Sequence, residues 1–515
     1  MRSFAFLVFA SCLLAGTALA EADTLRINLK ADIRSLDPGV NRDVNTDAIQ
    51  AHLFEGLVAF REDSSVGPML AKSIDISPDG KTYTFVLRDG LRFSNGEPLT
   101  SQDVLFSWKR YITPATGWRC LQEVDGRGAV KVTGVATPDA KTVVYTLEKP
   151  SAVFLATLAR PDCGGTGIFH RSSLGPDGQW REPVATGPFK LAAWKRGQMV
   201  ELARNENYQP LAGARDGLTG NKTAQVASVQ FVVIPDAATA KVALQAGKID
   251  VNLDIENANL AEYKADPNLT LQAAALMNTG AFLFQTRDPL LGDVRIRKAF
   301  LLSLDMEELA GAVTDGQAKP NNSPVPTPSA YHGPVQSEVS RRDLAGARKL
   351  LAEAGYKGQP IRMLANKQYA AMYNAAIIGQ AMAREAGINV ELEVLEWGAQ
   401  QDRYLSGDYQ MMSFHYSARL DPSLSFEMFS GIKGEQPRKV WENREALALL
   451  AKSMEIAEPE KRQPLLDAME RLFRADVPMI VTYSEMRISA ARANVAGFKG
   501  WALGYPRAWG VSLKP

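Results

Sequence analysis

Leu25-Arg26-Ile27-Asn28-Leu29 alternates between apolar and polar residues and predicts a strand with one buried face. From Thr46 to Val58, Ala48, Ile49, Leu53 and Leu57 fall at near-helical spacing, so a helix is expected there. Ser77-Pro78-Asp79-Gly80 is turn chemistry. It is followed by alternation from Thr82 to Leu87 that puts Tyr83, Phe85 and Leu87 on one face. The stretch Thr137-Pro138-Asp139-Ala140-Lys141-Thr142 restates that turn, and Val143, Tyr145 and Leu147 take the matching places. Two similar β-hairpins in one small subdomain, at about 65–180, are expected from this.

After residue 228 the period changes. Ser228 to Ile234 reads as a strand, Pro235-Asp236 opens a helix to Ala246 that Gly247 ends, and Ile249 to Leu253 resumes as a strand. A second such unit runs from Ile361 to Leu364, through a helix over Met372 to Glu385 stopped by Gly387, to Ile388 to Val394. Two βαβ units in separate parts of the chain predict two α/β lobes. Asp343 to Ala354 adds an amphipathic helix, and the four prolines of Lys319 to Pro328 mark an ordered loop or a crossing on a lobe surface.

Composition narrows the class. The 515 residues carry 58 Lys+Arg against 57 Asp+Glu. At 46% hydrophobic and 22% charged, the chain is that of an ordinary folded protein. A formal net charge of +1 argues against a general nucleic-acid binder, because phosphate backbones demand a basic surplus. No apolar run reaches the ~18 residues of a spanning helix.

Residues 1–20 have the layout of a cleavable export signal: Arg2, an apolar core from Phe4 to Ala15, and Ala18-Leu19-Ala20 before the cut. A periplasmic protein beginning at Glu21 is expected. Phe9-Ala10-Ser11-Cys12 loosely resembles a lipoprotein box with Phe where Leu is usual, so a lipid anchor at Cys12 is the lesser expectation. The mature chain keeps Cys120 and Cys163. In an oxidising compartment they are a disulfide candidate, the alternative being two unpaired thiols.

Motifs for chemistry are missing. The four histidines, His52, His170, His332 and His415, form no H-E-x-x-H and no metal-ligand spacing. There is no G-x-S-x-G elbow and no phosphate-binding loop. Asp75-x-Ser77-x-Asp79-Gly80 imitates the start of a calcium loop, but its twelfth position is Val86 and Pro78 sits inside it, so it reads as a hairpin turn. An exported α/β chain of this kind fits a two-lobed binding protein that closes around a solute, with a secreted hydrolase as the rival from another class.

Several stretches resemble the family 5 extracellular solute-binding proteins, the peptide- and nickel-binding components of ABC importers. These are LFEGLVAF (53–60), PMLAKSIDISPDGKTYTFVLRDGLRFSNGEPLTSQDVLFSWKR (68–110), TGPFKLAAW (186–194), DAATAKVALQAGKID (236–250), GDVRIRKAFLLSLDM (292–306), DLAGARKLLAEAGY (343–356) and DPSLSF (421–426). The resemblance implies a two-lobed periplasmic-binding-protein fold (cluster C, type II) with an inserted β-rich subdomain. Lobe I would combine 21–64, the insertion 65–182, 183–286 and 485–515, and lobe II would be 287–484. The hinge would lie near Gln285 and Ser484. The family further implies no enzymatic activity, no cofactor, a small-molecule or peptide ligand in the cleft, a membrane permease with its ATPase as partners, and a monomer.

Ligand chemistry is where the chain departs from that family. Peptide-binding members often carry an A-D-Y-x-[DE]-P-like loop whose Asp pairs with the ligand's amino group. Here the loop reads Ser417-Ala418-Arg419-Leu420-Asp421-Pro422, which puts Ala418 in place of the Asp and Arg419 in place of the Tyr. A guanidinium suits a carboxylate or phosphate, so an acidic group on the ligand is expected at Arg419, the alternative being an internal pair with Asp421 or another acid. Asp37, Asn366, Tyr369, Trp397 and Tyr416 are further candidates, placed after strands or beside the Arg419 loop. A nickel-chelate reading would rest on His415.

Overall fold

One ten-stranded mixed sheet runs through both halves of the computed structural model, which describes residues 23–40, 43–256, 259–416 and 419–514. Residues 1–22, Cys12 among them, and Ala418 lie outside the described residues. The chain enters as β1 (Thr24–Leu29), followed by helix α1 (Val44–Leu53). Asp43 caps α1 by accepting from the backbone of Asn45 and Thr46. The expected helix to Val58 stops at Leu53, because Phe54 turns into the extended region and Val58 belongs to a short strand.

The two hairpins are β2 (Ala71–Ile76) with β3 (Thr82–Leu87) and β4 (Val132–Ala136) with β5 (Thr142–Leu147). They join at β3 and β5 into a separate four-stranded antiparallel sheet, with Tyr83 opposite Tyr145 and Phe85 opposite Val143. Helix α2 (Ser101–Tyr111) follows the first hairpin, and Asp103 closes its capping box with Thr100.

The main sheet is completed by β6 (Phe189–Lys195), β7 (Met199–Arg204), β8 (Ser228–Val233), β9 (Val251–Asn252) and β10 (Leu269–Phe284). After these come β11 (Ile361–Ala365), helix α3 (Ala370–Glu385), β12 (Val390–Val394), helix α4 (Trp397–Ser406) and β13 (Met411–Tyr416). Helices α5 (Pro422–Phe429) and α6 (Pro459–Asp476) lead to β14 (Met479–Arg492). The order across the sheet is β12-β11-β13-β10-β14-β9-β1-β8-β7-β6.

Two lobes follow from how the apolar residues pack. Leu25 to Val251, with Ala491 to Val511, fill most of the core of the first lobe. In the second, alternate residues of β10 go to opposite faces: Phe282 and Phe284 into one core, Ala281 and Leu283 into another. That lobe is therefore a sheet covered on both sides. β10 and β14 pair antiparallel through both lobes: Leu269–Ala275 lies opposite Met486–Arg492, and Thr279–Leu283 lies opposite Met479–Ser484. The register breaks between Ala275 and Thr279. The proline-containing loop after Lys319 is buried rather than superficial. Asn321, Asn322 and Ser323 satisfy each other, β14 and Glu470, which lets polar backbone run inside the lobe.

Candidate functional site: the cleft between the lobes

A cleft of about 730 Å³ lies between the lobes. The first lobe contributes Asp43, Asp47 and Arg160, the crossing strands Asn278 and Arg487, and the second lobe Arg419, Asp421 and Arg438. The Arg419 loop leaves the end of β13 and is stopped by α5, where Asp421 caps Ser423 at 2.9 Å and Pro422 pre-sets the first turn. Arg462 of α6 then takes both Asp421 oxygens, at 2.7 and 2.5 Å.

Most other charges on the walls are tied down. Arg160 pairs with Asp162 at 2.8 Å and with Glu123 at 3.4 Å. Asp43 is spent on its helix cap. Glu427 pairs with Lys439 at 2.8 Å. Arg487 donates to the Gly504 carbonyl at 2.7 Å.

Of the six ligand candidates, Arg419 is the one among the residues lining this cleft. Asp37 is held by Arg110 through two bonds of 2.7 Å, and burial raises its carboxyl above the ordinary range while Arg110 opposes that shift. Asn366 is fully buried, donating to Gln400 at 2.7 Å and accepting from the Tyr369 amide at 3.0 Å, so it shapes the turn into α3. Tyr369 is 43% exposed and meets Trp397 edge-on at 4.9 Å, and Trp397 stacks on Phe414. Tyr416 is buried in the core of the second lobe, where burial pushes its hydroxyl well above the usual phenol range. Since β11, β12 and β13 run parallel, the turns bearing Asn366 and Tyr369, Trp397 and Arg419 all rise from one edge of the sheet.

Of the two hinge candidates, Ser484 sits at the register break, opposite Thr279. Gln285 lies past the other end of β10, inside the second lobe, donating to Gly407 at 2.7 Å and accepting from Lys433 at 2.5 Å. Cys120 and Cys163 are disulfide-bonded, with Cα atoms 5.6 Å apart.

Sequence reading passed over the polar group at the crossing. Glu485 bonds His415 Nδ1 at 2.5 Å with one oxygen and accepts from Asn278 Nδ2 at 3.0 Å with the other. His415 Nε2 is 3.2 Å from the Tyr483 hydroxyl. The available signal was an acid, Glu485, in the strand-like run Met479 to Ile488. Among the described residues, no group of three or more His, Cys, Asp and Glu side chains is placed to hold a metal.

Two α/β lobes joined by a pair of long strands, with a cleft of mixed charge between them, define a solute-binding protein. Residues 65–436 match the model of the bacterial extracellular solute-binding proteins, family 5, and the chain belongs to that family. It is 27% identical over 487 residues to oligopeptide-binding protein OppA of Bacillus subtilis, covering 89% of this chain and 87% of that one. It is 26% identical over 514 residues to the probable deoxycholate-binding periplasmic protein YgiS of Escherichia coli, covering 95% and 93%. The structure of HbpA2 from Haemophilus parasuis superposes with a TM-score of 0.84 at 24% identity, over 96% of this chain and 100% of that one. Members of this family are binding components of transport systems, so the chain binds and does not catalyse.

Proposed function

We propose that this chain is the periplasmic substrate-binding component of an ABC importer, and that its ligand is a peptide or peptide-like solute whose acidic group meets Arg419. The carrying observation is Arg419 on the cleft wall. Residues 1–20 direct export, and the mature monomer delivers its ligand to a permease with an ATPase. Bending falls at residues 276–278 and at Glu485, where the ladder between β10 and β14 is broken. The similarity to an oligopeptide-binding protein across most of both chains supports the peptide class.

A thermal-shift screen of residues 21–515 tests this. The panel holds short peptides with and without acidic side chains, amino-acid conjugates, deoxycholate and nickel–histidine. A native-state ligand at a hundred times its Kd stabilises by ~2.7 kcal/mol. Acidic peptides are expected to raise the melting temperature most. Arg419→Ala is expected to abolish that preference while leaving the ligand-free melting temperature unchanged. A shift confined to neutral peptides overturns the role of Arg419, and a shift confined to deoxycholate or nickel–histidine overturns the peptide class.

A further inference from the structure

We propose that Glu485 accepts a positively charged group of the ligand at the floor of the cleft, an ammonium in a peptide-like solute, so that the site reads an amphoteric compound with its acid at Arg419. The inference rests on the peptide reading above and deepens it.

Position is the first observation. Glu485 stands on β14 where both long strands pass between the lobes. Arg487, two residues on along the same strand, lines the cleft, and so does Asn278, which donates to Glu485. Glu485 does not itself line the cleft: it stands directly behind the lining, bonded to Asn278 and two positions from Arg487 on the same strand. Its side chain is 25% exposed.

Spare capacity is the second. Among the described residues, each Glu485 oxygen makes one hydrogen bond, to His415 and to Asn278. An ionised carboxylate has about four acceptor sites. The remaining lone pairs suit an ammonium, which brings three donors. His415, Asn278 and Arg487 hold the carboxyl below its ordinary value against the effect of burial, so it meets the ligand as an anion.

The third is that the acceptor is held in place. His415 Nδ1–H donates to Glu485, and His415 Nε2 hydrogen-bonds the Tyr483 hydroxyl at 3.2 Å. Gly280 lies between His415 on β13 and Tyr483 on β14, and its missing side chain leaves the space in which the two meet. An acceptor fixed before the ligand arrives loses less rotational freedom on binding. Four carboxylates on the walls are already engaged. Asp421 is clamped by Arg462, Glu123 and Asp162 by Arg160, and Glu427 by Lys439.

The test compares Ala-Ala-Glu with propionyl-Ala-Glu, which differ by one ammonium, by titration calorimetry on the mature chain. Wild type is expected to bind the free amine ten- to a hundredfold more tightly. Glu485→Gln and Asn278→Ala are each expected to shrink that ratio, to near one for Glu485→Gln, with the ligand-free melting temperature checking their folds. Equal binding of both compounds by wild type overturns the proposal while leaving the acidic-peptide reading standing. A ratio preserved in Glu485→Gln overturns it too. Binding of neither compound, with a response to deoxycholate or nickel–histidine instead, overturns the peptide reading and this inference with it.

Discussion

Arg462 reaches Asp421 with both terminal nitrogens, at 2.7 and 2.5 Å, and places its Nε on the Ser453 carbonyl at 2.7 Å. Both side chains are almost wholly buried, at 3% and 7% exposure. The pair fixes the base of the loop that carries Arg419, since Asp421 also caps α5. Removing one partner leaves the other charge buried and unmatched. Arg462→Met is therefore expected to destabilise the protein by about 3–5 kcal/mol in urea unfolding. Arg462→Lys keeps the charge but loses the two-pronged geometry, and should lie between Met and wild type. Equal stability of all three would refute the clamp.

Architecture was legible in the sequence wherever local periodicity and turn chemistry agree. The paired Ser77–Gly80 and Thr137–Thr142 turns mark hairpins that the structure joins at Tyr83 and Tyr145. Two βαβ segments mark the two lobes. Of the residues singled out in the sequence as ligand contacts, Arg419 lies on the cleft wall. Asp37 and Asn366 follow strands just as ligand contacts do, but Arg110 and Gln400 claim them from distant parts of the chain, and no local pattern encodes such partners. The same holds for Glu485, whose partners His415 and Asn278 come from two other strands. The position of the register break depends on how sixteen residues of β10 pair with fourteen of β14, which composition does not specify.

Two buried groups tilt stability in opposite directions with pH. His52 is neutral in the fold, Nδ1–H donating to the Ala48 carbonyl at 2.7 Å and Nε2 accepting from the Ala508 amide at 3.1 Å. Burial pulls its pKa from 6.5 down to about 3. Its contribution is therefore complete above pH 6.5 and is lost as pH falls from 6.5 towards 3, at about 1.4 kcal/mol per pH unit. Burial pushes Glu470 from 4.5 up to about 7, against Arg474 and Ser323. Its contribution is complete below pH 4.5 and is lost as pH rises from 4.5 to 7. Glu470→Gln should thus gain on wild type over pH 4.5 to 7 and hold a constant difference above, while His52→Gln should flatten the acid limb. Urea midpoints across pH 3 to 9 measure both, and parallel profiles for the three proteins would refute the assignment.

The Cys120–Cys163 bond closes a loop of 43 residues in the first lobe. It joins the segment after α2 to the turn carrying the Cys163 carbonyl, which accepts from Trp118 at 2.9 Å. By loop-closure entropy such a link stabilises by about 4 kcal/mol. Reduction, or Cys120→Ala with Cys163→Ala, is expected to lower the denaturation midpoint accordingly. Arg160 and Asp162 on the cleft wall border Cys163, so ligand affinity should also fall. An unchanged midpoint would show that the link adds nothing to this lobe.

Gly280 lets a hydrogen bond pass over a strand. It pairs with His415 on one side and Tyr483 on the other. A Cβ there would lie 3.0 Å from the Tyr483 ring and 2.9 Å from Thr482 Oγ1, so the ring must shift for an alanine to fit. Gly280→Ala is expected to cost about 1–3 kcal/mol through overpacking. It is also expected to part Tyr483 from His415 and leave Glu485 less firmly oriented. If the held carboxylate matters for binding, the variant should lose part of the preference for Ala-Ala-Glu over propionyl-Ala-Glu, though less than Glu485→Gln does, because the carboxylate remains. Lost stability with the full preference kept would mean that Asn278 alone orients Glu485 and that the His415–Tyr483 arm serves the fold.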